Sequence, residues 1–170
     1  MRKIKLTESQ LHTIIREAVD NVLNTQGDKN YAEHGKFYDG IAWVKNSEGK
    51  YNYIKANDEL LSDVWYDDAF DFNDGCGVVK YKGKYNFLNT LGDLVSDNWF
   101  KDVKHFSNGF AAVMRNDGKW NFINKLGEVI SKTWFDNCYY FEKEGGEVMI
   151  DGKTKYIDSN GKPLLMRKER

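Results

Sequence analysis

The stretch GFAAVMRNDGKWNFINKLGEVIS, residues 109–131, decides the fold. Its first six residues, Gly109 to Met114, carry no charge or polar side chain and read as the first strand. Asp117-Gly118 reads as a two-residue hairpin turn, because Gly tolerates the positive φ that such turns require. Residues 119–124 then alternate: Trp120 and Phe122 fall on one face and Asn121 on the other. Leu126-Gly127 turns the chain again, and residues 128–131 read as a third strand.

The same text recurs along the chain. Gly-Lys pairs stand at Gly49-Lys50, Gly83-Lys84, Gly118-Lys119 and Gly152-Lys153, in steps of 34, 35 and 34. Each of the first three is followed by aromatic-Asn-aromatic-aliphatic: Tyr51-Asn52-Tyr53-Ile54, Tyr85-Asn86-Phe87-Leu88 and Trp120-Asn121-Phe122-Ile123. The fourth copy has Thr154-Lys155-Tyr156-Ile157 instead. Trp65-Tyr66, Trp99-Phe100 and Trp134-Phe135 follow with no fourth counterpart, so the last unit reads as a C-terminal cap. Upstream stand Phe37 and Gly40, Phe72 and Gly75, Phe106 and Gly109, Phe141 and Gly145. The units run over about 37–69, 70–103, 104–138 and 139–165, ahead of a basic tail at 166–170. Meanders this small bury a face only by stacking on neighbours. The expectation is a mainly β fold of tandem antiparallel β-meander or hairpin repeats. It is either an open, solenoid-like array or an incomplete propeller. Steps of 34 or 35 are short for a four-stranded propeller blade, which favours the open form.

Residues 1–24 carry a different period. Thr7 with Gln10 makes a capping box, and Leu6 with Leu11 a hydrophobic staple. Leu11, Ile14, Ile15, Ala18, Val19, Val22 and Leu23 keep helical spacing, which predicts an amphipathic helix with one apolar docking face. Residues 25–36 read as a polar linker. The helix is either a cap on the repeats or a tag that docks on a protein partner or self-associates.

Composition removes several function classes. The chain has 25 basic and 26 acidic residues, a formal net charge of -1, which argues against general nucleic-acid binding. Acids on the polar side of the helix argue against a membrane-surface role, and no apolar run is long enough to span a bilayer. Neither a secretory signal nor a disulfide framework is visible, so a reducing compartment is expected.

The repeat register makes most chemically tempting residues ordinary. Cys76 aligns with Ile41 and Phe110, and Cys138 with Ala69 and Val103, so both read as buried structural thiols rather than nucleophiles. His12, His34 and His105 lack ligand spacing, and neither a metal nor another cofactor is expected. Asp63, Asp67, Asp68, Asp97, Asp102 and Asp136 form loose rows, not the facing pair a glycosidase needs. The Gly-Lys pairs are turns, not phosphate loops. No catalytic residue is assigned, and the chain is expected not to be an enzyme. Two adjacent aromatics in an extended segment face opposite ways. The Trp of each pair is expected in the core, the alternative being that Trp65, Trp99 and Trp134 with their neighbours line a groove and stack on sugars or nucleobases. This leaves Tyr66, Phe100 and Phe135, together with Asn52, Asn86 and Asn121, as candidates for a ligand or partner surface. For the Asn row, hydrogen bonding to neighbouring backbone is the alternative.

Phe-x-x-Gly, then Ala-x-Val, then Gly-Lys-Trp-x-Phe-Ile-x-x-x-Gly resembles the WG (KWG) repeat family over roughly residues 37–165. Where that family has Gly after the aromatic, this chain has Asn52, Asn86 and Asn121, and Lys155 in the last copy. The opening KIKLTESQLHTIIRE, residues 3–17, is similar to a leader on proteins of crAss-like gut bacteriophages. The first resemblance implies a binding or scaffold array. The second implies a phage-encoded protein in the cytoplasm of the bacterial host or on the virion, and it favours the tag. The functional expectation is therefore a non-enzymatic binding or scaffold protein. The alternatives are a protein that sequesters a nucleotide signal, suggested by Lys80, Lys82 and Lys84, and a carbohydrate-active protein.

Overall fold

The computed structural model describes residues 31–164, and every regular element among them is a strand. The helix expected within residues 1–24 lies outside the described residues. There are four three-stranded antiparallel sheets, each a meander in chain order. The first comprises β1 (Tyr31–His34), β2 (Ile41–Asn46) and β3 (Tyr51–Lys55). The second comprises β4 (Asp68–Ala69), β5 (Cys76–Tyr81) and β6 (Lys84–Asn89), and the third β7 (Asp102–Val103), β8 (Phe110–Met114) and β9 (Trp120–Asn124). The fourth comprises β10 (Asn137–Glu142), β11 (Gly145–Ile150) and β12 (Lys153–Ile157). Sheets two to four open at Asp68, Asp102 and Asn137, just ahead of the repeat limits at residues 70, 104 and 139.

The expected third strand at 128–131 is not a regular strand. After each central hairpin the chain runs back along the third strand and touches it intermittently. Leu61, Val95 and Ile130 donate their N–H groups to the carbonyls of Tyr53, Phe87 and Phe122 at 2.8, 2.9 and 3.0 Å. Tyr66, Phe100 and Phe135 then exchange bonds with Tyr51, Tyr85 and Trp120. Between these two contacts the chain bulges away from the strand, and the Asn row fills the gap. Asn86 Nδ2 donates to Ser96 O at 2.7 Å and Asn98 O at 3.1 Å, while its Oδ1 accepts from the N–H of Phe87 at 2.8 Å. Asn121 repeats this with Ser131 O, Thr133 O and Phe122 N–H, and Asn52 with Ser62 O and Tyr53 N–H. One side chain thus takes the place of missing ladder bonds.

Two kinds of turn join the central hairpins. Lys82-Gly83 and Asp151-Gly152 are two-residue turns with positive φ at both positions. Asp117-Gly118 is not, contrary to the sequence reading. Arg115 and Lys119 close a three-residue loop in which Gly118 alone has positive φ, and the first unit is built the same way around Gly49. The extra residue in the third unit accounts for the step of 35.

Units lock through aromatic pairs. Tyr53 meets Phe72 edge-on at 4.9 Å, Phe87 meets Phe106 at 4.8 Å, and Phe122 meets Phe141 at 5.2 Å. The residue of the second strand under these rings is small, Gly77, Ala111 or Gly146; a Cβ on Gly77 or Gly146 would strike them. Each buried cluster between sheets draws on two successive units, so the core is a row of interfaces rather than one centre.

Candidate functional site

The two residues of each Trp-aromatic pair have the roles opposite to those expected. Tyr66, Phe100 and Phe135 are buried, and Trp65, Trp99 and Trp134 are half-exposed. The first residue after the bulge is still at the rim, and the second is already paired with the third strand. Asn52, Asn86 and Asn121 are fully buried, at 0% exposure. All six residues expected on a ligand surface hold the units together, and of them Phe100, 6% exposed, also lines a groove beside Trp99.

The surface that remains lies at the end carrying the central hairpins. At the first junction between units, Asp67 accepts Lys50 Nζ at 2.5 Å and the Lys82 N–H at 2.6 Å. It clasps the two-residue turn of the second unit to the first. At the third junction Asp136 does the same with Lys119 Nζ at 2.5 Å and the Asp151 N–H at 2.7 Å. The lysine and then the turn amide hold both carboxyls below their ordinary range. At the middle junction the corresponding residue is Lys101. Neither it nor Lys84 has an ion-pair partner among the described residues.

Where this clasp is missing, a groove of about 500 Å³ opens between the second and third units. Trp99 and Trp134 flank it, and Asn98, Arg115, Asn116 and Asp117 supply its polar lining. Each flanking Trp is placed by a serine turn: Ser96 Oγ accepts from Asn98 N–H, and Ser131 Oγ from Thr133 N–H. The Arg115 guanidinium lies 4.1 Å from the Trp134 ring centre and donates to Asp117 at 2.6 Å. The Lys119 N–H, and then Arg115, hold the Asp117 carboxyl below its usual range. A cation stacked on one ring and fixed by a carboxylate is already positioned before anything binds. The groove thus offers apolar ring surface beside oriented donors and acceptors, which suits a ring with a flat apolar face and polar edges.

Other chemical groups are occupied by the fold. Burial raises the Cys76 thiol to about 11 and the Cys138 thiol to about 12, away from reactive thiolate. His34 sits by the Gly35 carbonyl and His105 edge-on to Phe70. Among the described residues no three His, Cys, Asp or Glu side chains gather to hold a metal, and no helix is long and apolar enough to cross a membrane. Lys104 donates to Cys138 O at 2.6 Å and lies near the rings of Trp120, Tyr139 and Tyr140, where burial lowers its pKa.

The WG containing repeat family matches residues 53–85 and 87–120. These two WG repeats end and begin on either side of Asn86, and the second includes Trp99 and Arg115 but not Trp134. No curated protein matches the sequence. Among solved structures, Kluyveromyces lactis Hsv2 with loop 6CD replaced by a Gly-Ser linker aligns with a TM-score of 0.50 at 8% identity. The match covers 81% of this chain and 52% of that one, so the chain spans about half of its length. The computationally designed Ika4 protein aligns at 0.44 and 15% identity over 71% of this chain and 88% of that one. The WD40 β-propeller domain of Doa1 aligns at 0.36 and 11% identity over 79% and 59%. The structural likenesses concern the fold alone, and the family match marks WG-type β-repeats within the four three-stranded sheets.

Trp99, Trp134 and Phe100 belong to the repeated Trp-aromatic pairs, whereas Asn98, Arg115, Asn116 and Asp117 fall in no row of like residues. Their signal is a break in a row: Asp67, Lys101, Asp136.

Proposed function

We propose that this chain is a non-enzymatic binding protein, a rigid repeat scaffold that presents the groove between Trp99 and Trp134 to a small polar ligand. The observation that carries the reading is the loss of the Asp clasp at the middle junction alone, with the groove at that same place. Ring faces beside Arg115, Asp117, Asn98 and Asn116 favour a sugar-like ring. A second reading, an anionic nucleotide, draws on Lys84 and Lys101 at the same junction, which have no ion-pair partner among the described residues. The leader resemblance supports a phage-encoded protein acting in the host cytoplasm.

Intrinsic tryptophan fluorescence of the full chain, titrated with N-acetylglucosamine oligomers and with ATP, tests both. The expected result is saturable quenching by one class, lost in Trp134→Ala and Arg115→Ala and kept in Trp65→Ala. Binding that weakens steeply between 50 and 200 mM salt, on the order of tenfold or more, selects the anion. Quenching by both classes that survives Trp134→Ala would overturn the groove as the site.

A further inference from the structure

Each unit has a face that receives the unit before it and a face that meets the unit after it. In the second unit Val79 and Leu88 are on the receiving face, buried with Ile41, Tyr53 and Leu61 of the first. Val113 and Ile123 do the same in the third unit, and Val148 and Ile157 in the fourth. The equivalent residues of the first unit are Val44 and Ile54, with Ala42 and Phe37 beside them. No unit precedes them among the described residues. Yet Val44 is 0% exposed, Ala42 1%, Ile54 3% and Phe37 4%. Tyr31 and Trp65, both only partly buried, are the described hydrophobic residues packed against this cluster. Among the described residues no ring meets Phe37 edge-on in the way that locks Phe72, Phe106 and Phe141.

The other end of the array is built differently. At the positions of Trp43, Val78 and Ala112 on the outgoing face the fourth unit has Glu147, and at the Asn positions it has Lys155. A second copy stacked head to tail would place the Glu147 carboxylate against Val44 and Ile54, with no partner for the charge. The cover for the first face is therefore not another copy of this chain.

We propose that residues 7–24 cover the receiving face of the first sheet and take the place of a preceding unit. Their apolar stripe, with Ile15 and Val19 near its middle, has the length and chemistry for a face of this kind. The chain delivers them there: residues 25–30 lead directly into β1, whose Tyr31 already packs on the same cluster. The segment then acts as an intramolecular cap, not as a free tag for another protein.

The test uses the full chain with Ile15→Asp/Val19→Asp, and with Glu17→Ser on the polar side as control. The double variant is expected to lower the thermal midpoint by about 5–10 °C and to bind a hydrophobic dye, while the parent and the control stay monomeric by light scattering and dye-free. The milder Val19→Ala keeps the test readable if the double variant does not fold: it should shift the midpoint part of the way, with Val19→Ile near the parent. Midpoint and dye binding unchanged in every stripe variant would overturn the cap. So would a parent dimer whose midpoint rises with protein concentration and which the stripe variants dissociate.

Discussion

Asn86→Ala would leave the carbonyls of Ser96 and Asn98 and the N–H of Phe87 without their partner in a buried place. Each such group costs about 1–3 kcal/mol, and relaxation of the bulge recovers part of it, so a loss of about 2–4 kcal/mol is expected in urea unfolding. A change within 0.5 kcal/mol would mean that water reaches the gap and that the Asn row is not structural. Glycine makes a sharper comparison. Gly127 has positive φ, and a Cβ there would collide with the carbonyl of Val95 in the preceding unit; Gly118 also has positive φ but has open space around it. Gly118→Ala should therefore lose only the left-handed penalty of about 1–2 kcal/mol, and Gly127→Ala clearly more, as read by denaturant midpoints of the two variants side by side. Gly92 and Gly161 repeat the contact at Leu61 and Ile130, whereas the first unit has Asp58 at the same turn with φ 66.

At the scale of the element, the clasps decide which junctions are tied. The carboxyls of Asp67 and Asp136 are depressed in the folded chain, first by Lys50 or Lys119 and then by a turn N–H. A depressed carboxyl stabilises the fold above its ordinary pKa of about 3.9 and loses that contribution as pH falls through the lower folded value. Asp67→Asn/Asp136→Asn should accordingly lower the thermal midpoint at pH 6 and converge with the parent once the pH falls below the carboxyls' depressed folded values. Equal offsets at both pH values would show that the carboxylates' charge plays no part. Both carboxyls are still about a third exposed, at 34% and 31%, so solvent screens the pairs and the effect is small. These elements also show what a sequence discloses. Alternation and Gly spacing expose the hairpins, because periodicity is local. The exchange of roles between Trp134 and Phe135 is not local: it depends on where a bulged chain regains the neighbouring strand. The loop at Arg115 to Lys119 differs from Lys82-Gly83 by one residue, which the repeat step carried as 35 against 34.

Across the whole molecule, contacts run between successive units, so stability is a sum of neighbouring interfaces and the ends are its weak points. The fourth unit, whose outgoing face carries Glu147, is held among the described residues by one interface, in which Phe141 stacks on Phe110 at 4.0 Å and meets Phe122 edge-on. Phe141→Ala removes both ring contacts and opens a cavity, a loss of about 3–5 kcal/mol in a compact core. In a row of interfaces that loss should not spread evenly. Amide hydrogen exchange is expected to speed up in β10–β12 and to stay close to the parent in β5, β6, β8 and β9, the strands of the two units between which the groove lies. Ligand quenching at Trp134 should then persist at temperatures where the fourth unit already exchanges freely. Uniform loss of protection across all four sheets would instead mean that the array unfolds as one cooperative body, and the groove could not be treated as independent of the terminal unit.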